Sequence, residues 1–179
     1  PLQHASDDML RAMRRQITRS EMNELLAAIR EMVPGICLRT TLIAGFPAET
    51  EKDIDEMKHF HVQHRFDRVG IFTYSQEEGT SAFDMEDNIP AAEKERRAQE
   101  VMEVQQDISY EKNLEKVGKT FKTLIDKKES GRYLGRTEFD SVEVDNEVII
   151  NTDRKLPIGE FVNVTITRAY DYDLEGEVQ

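Results

Sequence analysis

Apolar positions in the first two thirds of the chain recur every three or four residues in some stretches and bunch together in others. Met9, Leu10 and Met13, behind Ser6-Asp7-Asp8, predict a short helix capped at Ser6. Leu25, Leu26, Ile29 and Val33 keep helical spacing, so a second helix is predicted, with Ser20 as its cap and Pro34-Gly35 as its stop. Ile36 to Ala44 is a β-rich run and predicts a strand, closed by the turn Gly45-Phe46-Pro47-Ala48-Glu49-Thr50. Thr50 with Asp53 reads as a capping box with the shorter acid, and Ile54, Met57 and Phe60 give the following helix an apolar face. Val69 to Tyr74 predicts another strand, Ser75 to Asn88 a polar loop, and Pro90 the first turn of a long charged helix reaching about Glu115. Strand and helix in alternation imply a parallel sheet with right-handed crossovers.

The pattern changes after residue 116. Short β-type runs (Phe121 to Ile125, Tyr133 to Thr137, Glu147 to Ile150, Phe161 to Ala169, Leu174 to Val178) are separated by turn residues such as Ser130-Gly131 and Pro157-Ile158-Gly159. They predict a small antiparallel β-barrel over residues 117–179. Residues 1–116 hold too few strands for a closed α/β domain, and a βα barrel needs a further half to cover its inner face. The expected fold class is therefore α/β: the C-terminal half of a partial βα (TIM-like) barrel, followed by the small β-barrel.

Composition narrows the chemistry. The 179 residues are 38% hydrophobic and 34% charged, with a net charge of −12. No run approaches the roughly 20 apolar residues of a spanning helix, so no membrane partner is expected. The acidity disfavours bulk binding to phosphate backbones and favours a basic partner. The lone cysteine, Cys37, excludes an internal disulfide and points to a reducing, cytoplasmic setting. It also excludes a zinc or iron–sulfur site built from the chain's own thiolates. No initiator methionine opens the sequence, and the chain reads as part of a longer protein.

Three stretches fall at the C-terminal ends of strands, where parallel α/β folds bind ligands. They are Gly45 to Thr50, Tyr74 to Thr80, and Pro1 to Ser6, the last read as the tail of an earlier strand. Gly45 permits a tight turn, and Gln3, His4 and Ser6 offer hydrogen bonds to a ribose or carboxylate. Arg14 and Arg15 follow the first helix and suit a carboxylate or phosphate, though complementing the helix dipole is the simpler role. His59, His61 and His64 are expected away from the apolar face of their helix, with no metal role. Cys37 is expected to be a small buried hydrophobe.

Several of these motifs occur in a recognisable order. Gln3-His4-x-Ser6-Asp7 comes first, then Leu10, Met13 and Arg14. Leu38-Arg39-Thr40-Thr41-x-Ile43-x-Gly45-Phe46-Pro47-x-Glu49-Thr50 and Phe72-x-Tyr74-Ser75-x-Glu77-Glu78-Gly79-Thr80 follow. The series resembles the C-terminal part of the radical S-adenosylmethionine domain of the methylthiotransferases, and residues 117–179 resemble their closing TRAM domain, an OB-like barrel. Gly135-Arg136-Thr137, Val144-Asp145 and Tyr172-Asp173-Leu174-x-Gly176 are similar to the branch that modifies a small-subunit ribosomal protein; Glu175 stands where that branch often carries Trp.

The resemblance implies methylthiolation of the β-carbon of an aspartate in the twelfth protein of the small ribosomal subunit. It also implies S-adenosylmethionine and two [4Fe–4S] clusters, the clusters ligated outside this sequence, so that this fragment alone is expected to be inactive. Gln3 and Ser6 are implied for the ribose or methionine portion of the cofactor and Arg14 for its carboxylate. Ile43, Gly45 and the Tyr74 backbone are implied for the adenine, with Glu49 bracing the turn. No catalytic or metal residue is expected within the fragment; the missing N-terminal part of the protein is an expected partner. Two alternatives stand beside this reading: a tRNA-modifying sister enzyme, and a macromolecule-binding module without catalysis. Residues 117–179 carry nine Lys and Arg against thirteen Asp and Glu, a net charge of −4, which favours a basic protein over tRNA. Glu138, Asp140, Glu143, Asp145, Asp171 and Asp173 are the expected docking residues.

Overall fold

The computed structural model describes residues 1–141 and 146–179, and these form two compact units, Pro1–Gln105 and Gln106–Gln179. The first is built from α1 (Asp7–Ala12), α2 (Arg19–Met32), β1 (Arg39–Ala44), α3 (Glu51–His64), β2 (Arg68–Thr73) and most of α4 (Ala91–Leu114). β1 and β2 are parallel, with Thr41 opposite Gly70 and Ile43 opposite Phe72. Gln3 adds a bridge on the far side of β1: its N–H donates to Thr41 O at 3.1 Å and its carbonyl accepts from Ile43 N–H at 2.8 Å. Gln3 thus pairs with β1 in the parallel sense through a single bridge.

Alternation along β1 separates the two sheet faces. Thr40, Leu42 and Ala44 are buried, and the core against the helices joins Leu42 and Ala44 to Leu10, Met22, Leu26, Ile54, Met57, Phe60, Phe66 and Val101. Thr41 and Ile43 point to the opposite face, which is only half-buried. The strand starts at Arg39 rather than Ile36. Asp67 Oδ2 accepts from Leu38 N–H at 2.8 Å, so a side chain satisfies the backbone just before β1.

Two helix starts differ from the sequence reading. Thr18, not Ser20, caps α2: its Oγ1 accepts from Glu21 N–H at 3.3 Å, and Glu21 Oε2 accepts in return from Thr18 N–H at 2.8 Å. Ser6 stands at the N-cap of α1, but its hydroxyl turns elsewhere. The expected cap of α3 is present, with Asp53 Oδ2 accepting from Thr50 N–H at 2.8 Å and from Thr50 Oγ1 at 2.6 Å.

The placement of the histidines is a correction. His61 and His64 are buried on the same face as Ile54, Met57 and Phe60, since steps of three and four residues run from 54 through 57 and 61 to 64. His61 Nδ1 donates to Met57 O at 2.8 Å, and burial holds its pKa down, so the ring is neutral. His59 is exposed. Cys37 is half-buried rather than a core residue.

The second unit is a closed five-stranded barrel in the order β3-β4-β5-β7-β6, with β3 (Thr120–Glu129), β4 (Arg132–Thr137), β5 (Val148–Ile150), β6 (Phe161–Ala169) and β7 (Leu174–Val178). Four pairings are antiparallel, and β5 with β7 is parallel, which the sequence reading of an all-antiparallel barrel did not anticipate. Ile125, Tyr133, Val148, Ile150, Leu156, Val164, Ile166 and Leu174 fill it. Gly135 and Gly176 are required by close approach: a Cβ on Gly135 would lie 2.4 Å from Leu124 O, and one on Gly176 2.7 Å from Thr165 O. The last turns of α4 go with this unit, Asn113 Nδ2 donating to Tyr170 O and Tyr172 O at 3.0 Å.

Candidate functional site

A cavity of about 570 Å³ opens over the less buried face of the β1–β2 sheet. Gln3, Thr41, Ile43 and Phe72 form its floor; Phe46, Tyr74, Ser75 and Glu77 come from the C-terminal strand ends and the loop that follows. The loop is folded back over this rim, Tyr74 Oη donating to Ala82 O at 3.1 Å and Gln76 Nε2 to Phe83 O. Phe46 meets Tyr74 edge-on at 5.1 Å between centroids. Among the lining residues Arg15 is the cation and Glu77 the anion. Burial, then Asp87 and Glu77, holds the Tyr74 phenol above its usual pKa, so it stays protonated and a donor.

The expected ligand residues divide. Gln3, Ile43 and Tyr74 line the cavity; Ser6, Arg14, Gly45 and Glu49 do not. α1 ends in a Schellman turn, with Arg14 left-handed at φ 56°, Arg14 N–H on Arg11 O and Arg15 N–H on Leu10 O. That turn brings Arg15 rather than Arg14 to the cavity, where its guanidinium donates to Pro1 O at 3.0 Å. Tyr74 lines the cavity, but its backbone N–H is engaged by Ala44 O at 2.9 Å and so is not free to read a base.

Beneath the rim lies a buried polar network. Glu49 Oε1 accepts from Gly45 N–H at 2.8 Å and from Arg97 at 3.2 Å, and Glu49 Oε2 pairs with His4 Nε2 at 3.2 Å. His4 and Glu49 side chains are fully buried. Ser6 N–H donates to His4 Nδ1 at 3.0 Å, so Nδ1 is the acceptor and the ring proton sits on Nε2, directed at Glu49. The Ser6 hydroxyl donates to Asp53 Oδ1 at 2.5 Å and is not presented to the cavity. Burial alone would raise the Asp53 pKa; hydrogen bonds from Ser6 and Thr50 outweigh it and hold the carboxyl below its usual value. Gly45, at φ 79°, packs on the stem of Lys94, and Lys94 Nζ donates to Tyr74 O at 3.2 Å and Asp87 Oδ2 at 2.5 Å.

Sequence reasoning missed Lys94 and Arg97, and it named Arg15 beside Arg14 but gave the carboxylate to Arg14. The signal for the first two was phase: Lys94, Arg97, Val101 and Gln105 share one buried stripe of α4 at steps of three and four.

In the barrel unit the expected docking residues also divide. Asp140 Oδ2 accepts from the Thr137 hydroxyl at 2.6 Å and holds a turn, and Asp173 Oδ1 accepts from Glu147 N–H at 2.9 Å and ties the start of β7 to that of β5. Glu138 and Asp171 are exposed, Asp171 accepting from Gln106 at 2.6 Å. Glu143 and Asp145 lie outside the described residues. The pairing of β4, β5, β6 and β7 puts the 138–140 and 170–173 segments at one end of the barrel. Glu175, the departure noted in the sequence, accepts from Tyr170 Oη at 2.8 Å and Asn151 at 2.6 Å.

Residues 117–178 match the family model of the TRAM domain. They are a TRAM domain. Outside it, too, the chain has relatives: it is 52% identical to the ribosomal protein uS12 methylthiotransferase RimO of Cytophaga hutchinsonii over 99% of its own length and 41% of that protein's. The RimO proteins of Flavobacterium psychrophilum (48% identity; 99% of this chain, 41% of the relative) and a Thermoanaerobacter species (45%; 99% and 40%) match in the same way. The chain spans about two fifths of the length of the curated relatives it matches. The similarity thus runs through the cavity-bearing unit as well as the TRAM domain.

Proposed function

We propose that this chain is part of a cytoplasmic radical S-adenosylmethionine methylthiotransferase that modifies the β-carbon of an aspartate in ribosomal protein uS12. The similarity to RimO proteins along the whole chain carries the reading. The cavity supports it through the chemistry of its lining. Ile43, Phe46 and Phe72 offer an apolar wall for adenine, and Gln3, Thr41 and Ser75 offer polar groups for a ribose. Arg15 and Glu77 offer opposite charges for the carboxylate and ammonium of a methionine end. S-adenosylmethionine supplies the radical and methyl chemistry when bound. This chain's residues bind and orient it: Arg15 by charge, Ile43 and Phe72 by packing, and Glu49 by fixing the Gly45 turn. The single cysteine cannot ligate a [4Fe–4S] cluster by itself, so both clusters are assigned to the remainder of the protein.

The acidic TRAM domain favours a basic ribosomal protein over tRNA, since RNA affinity rests on phosphate neutralisation. The test is mass spectrometry of uS12 after incubation with the reconstituted full-length protein, reductant and S-adenosylmethionine. The expected result is one methylthio group on one aspartate. Modification of tRNA with uS12 untouched would move the assignment to the sister activity, and modification of neither would reduce the chain to a binding module.

A further inference from the structure

Lys94 sits in the first turns of α4 and is 7% exposed. Its stem occupies the space a side chain at position 45 would take: a Cβ on Gly45 would lie 2.3 Å from Lys94 Cγ. Its ammonium donates to the carbonyl of Tyr74, at the end of β2, and to Asp87, near the far end of the loop that begins at Ser75. The same ammonium lies 4.9 Å from the centroid of the Tyr74 ring. One side chain therefore meets the end of β1, the end of β2 and the return of the loop. The aromatic pair Phe46 and Tyr74, two residues that line the cavity, belongs to the first two of these.

We infer that Lys94 is a positioning residue: through Gly45, Tyr74 and Asp87 it fixes the Phe46–Tyr74 wall and holds the 75–88 loop over the cavity. The inference rests on the reading of that cavity as the S-adenosylmethionine site. A buried ion pair is poor evidence of net stability, because desolvation offsets much of its Coulomb attraction. What this residue adds is geometry, since its ammonium ties two segments and its stem packs on a third. The glycine at 45 is explained by the Lys94 stem and the positive φ without any demand from a ligand.

Lys94→Met keeps an unbranched stem against Gly45 and removes only the ammonium. In the full-length protein, amide exchange across residues 75–88 should rise roughly tenfold. S-adenosylmethionine affinity, by calorimetry, should fall by roughly tenfold. Asp87→Asn, which keeps an acceptor for Lys94, should fall between wild type and Lys94→Met on both readouts. Unchanged loop exchange in Lys94→Met would overturn the inference, and so would faster exchange with unchanged affinity, which would leave Lys94 a structural tie only. Should Lys94→Met fail to fold, wild-type exchange and affinity in Asp87→Asn would overturn it equally. Failure of the wild-type protein to bind S-adenosylmethionine would instead strike the reading of the cavity, and the exchange data would still decide whether the loop is held by Lys94.

Discussion

Removing the Glu49 carboxylate should loosen the Gly45 turn before it affects anything else. In Glu49→Ala, Gly45 N–H and His4 Nε2–H lose their acceptor in a site with no solvent exposure, and Arg97 keeps only the Glu49 carbonyl, Glu93 and Glu51. Each buried donor left unpaired costs about 1–3 kcal/mol. Breaking a buried charge pair by deleting one member costs about 3–5 kcal/mol. These overlap in one site, so the expected total is about 3–5 kcal/mol. Glu49→Gln is the sharper probe. Its carbonyl oxygen can still serve Gly45, but its NH2 then faces the Nε2–H of His4. The imidazole cannot change tautomer to suit, because Ser6 N–H requires a bare Nδ1. A loss of about 1–3 kcal/mol is expected from that opposed pair. The two-unit chain makes a single global unfolding free energy ill-defined, so the readout is native-state exchange of the Gly45 amide, with denaturant titration of each unit as a check. Gly45 protection in Glu49→Gln within about 0.5 kcal/mol of wild type would refute the tautomer argument.

Burial, then Arg30, Arg19 and His61, holds the His64 pKa below its ordinary value, and burial does the same for His61. The unfolded chain binds protons first, so the first unit should keep its full stability above about pH 6.5 and lose it as pH falls through the folded-state values. Thermal melts from pH 7.5 to 5 should show this, and His64→Asn should flatten the dependence. Gly135→Ala places a methyl 2.4 Å from Leu124 O and should destabilise the TRAM domain by about 1–3 kcal/mol in urea titration. Arg15→Gln should weaken S-adenosylmethionine binding by roughly tenfold in calorimetry while Arg14→Gln leaves it within twofold, the reverse order placing the carboxylate on Arg14. Glu138→Lys with Asp171→Lys should slow association with uS12 and flatten its salt dependence in stopped-flow, with little change in dissociation.

Periodicity and turn chemistry determined most of the architecture by themselves. The strand and helix order, the five barrel strands and the Thr50–Asp53 cap all follow from local pattern, because alternation and capping depend on near neighbours in sequence, whereas Ile43 was named by the family resemblance. Tertiary structure decided which polar groups turn inward. Ser6, a hydroxyl in a ligand-like motif, is claimed by Asp53, 47 residues away, and Glu49 by Arg97, 48 residues away. Whether Arg14 or Arg15 meets the cavity turns on one left-handed backbone residue, which composition does not encode. Lys94 and Arg97 look like solvent residues on a highly charged helix, and only the packing of that helix against the rim makes them its supports. The parallel β5–β7 pair likewise has no local signature, since strand direction within a closed barrel is set by which edges remain to be paired.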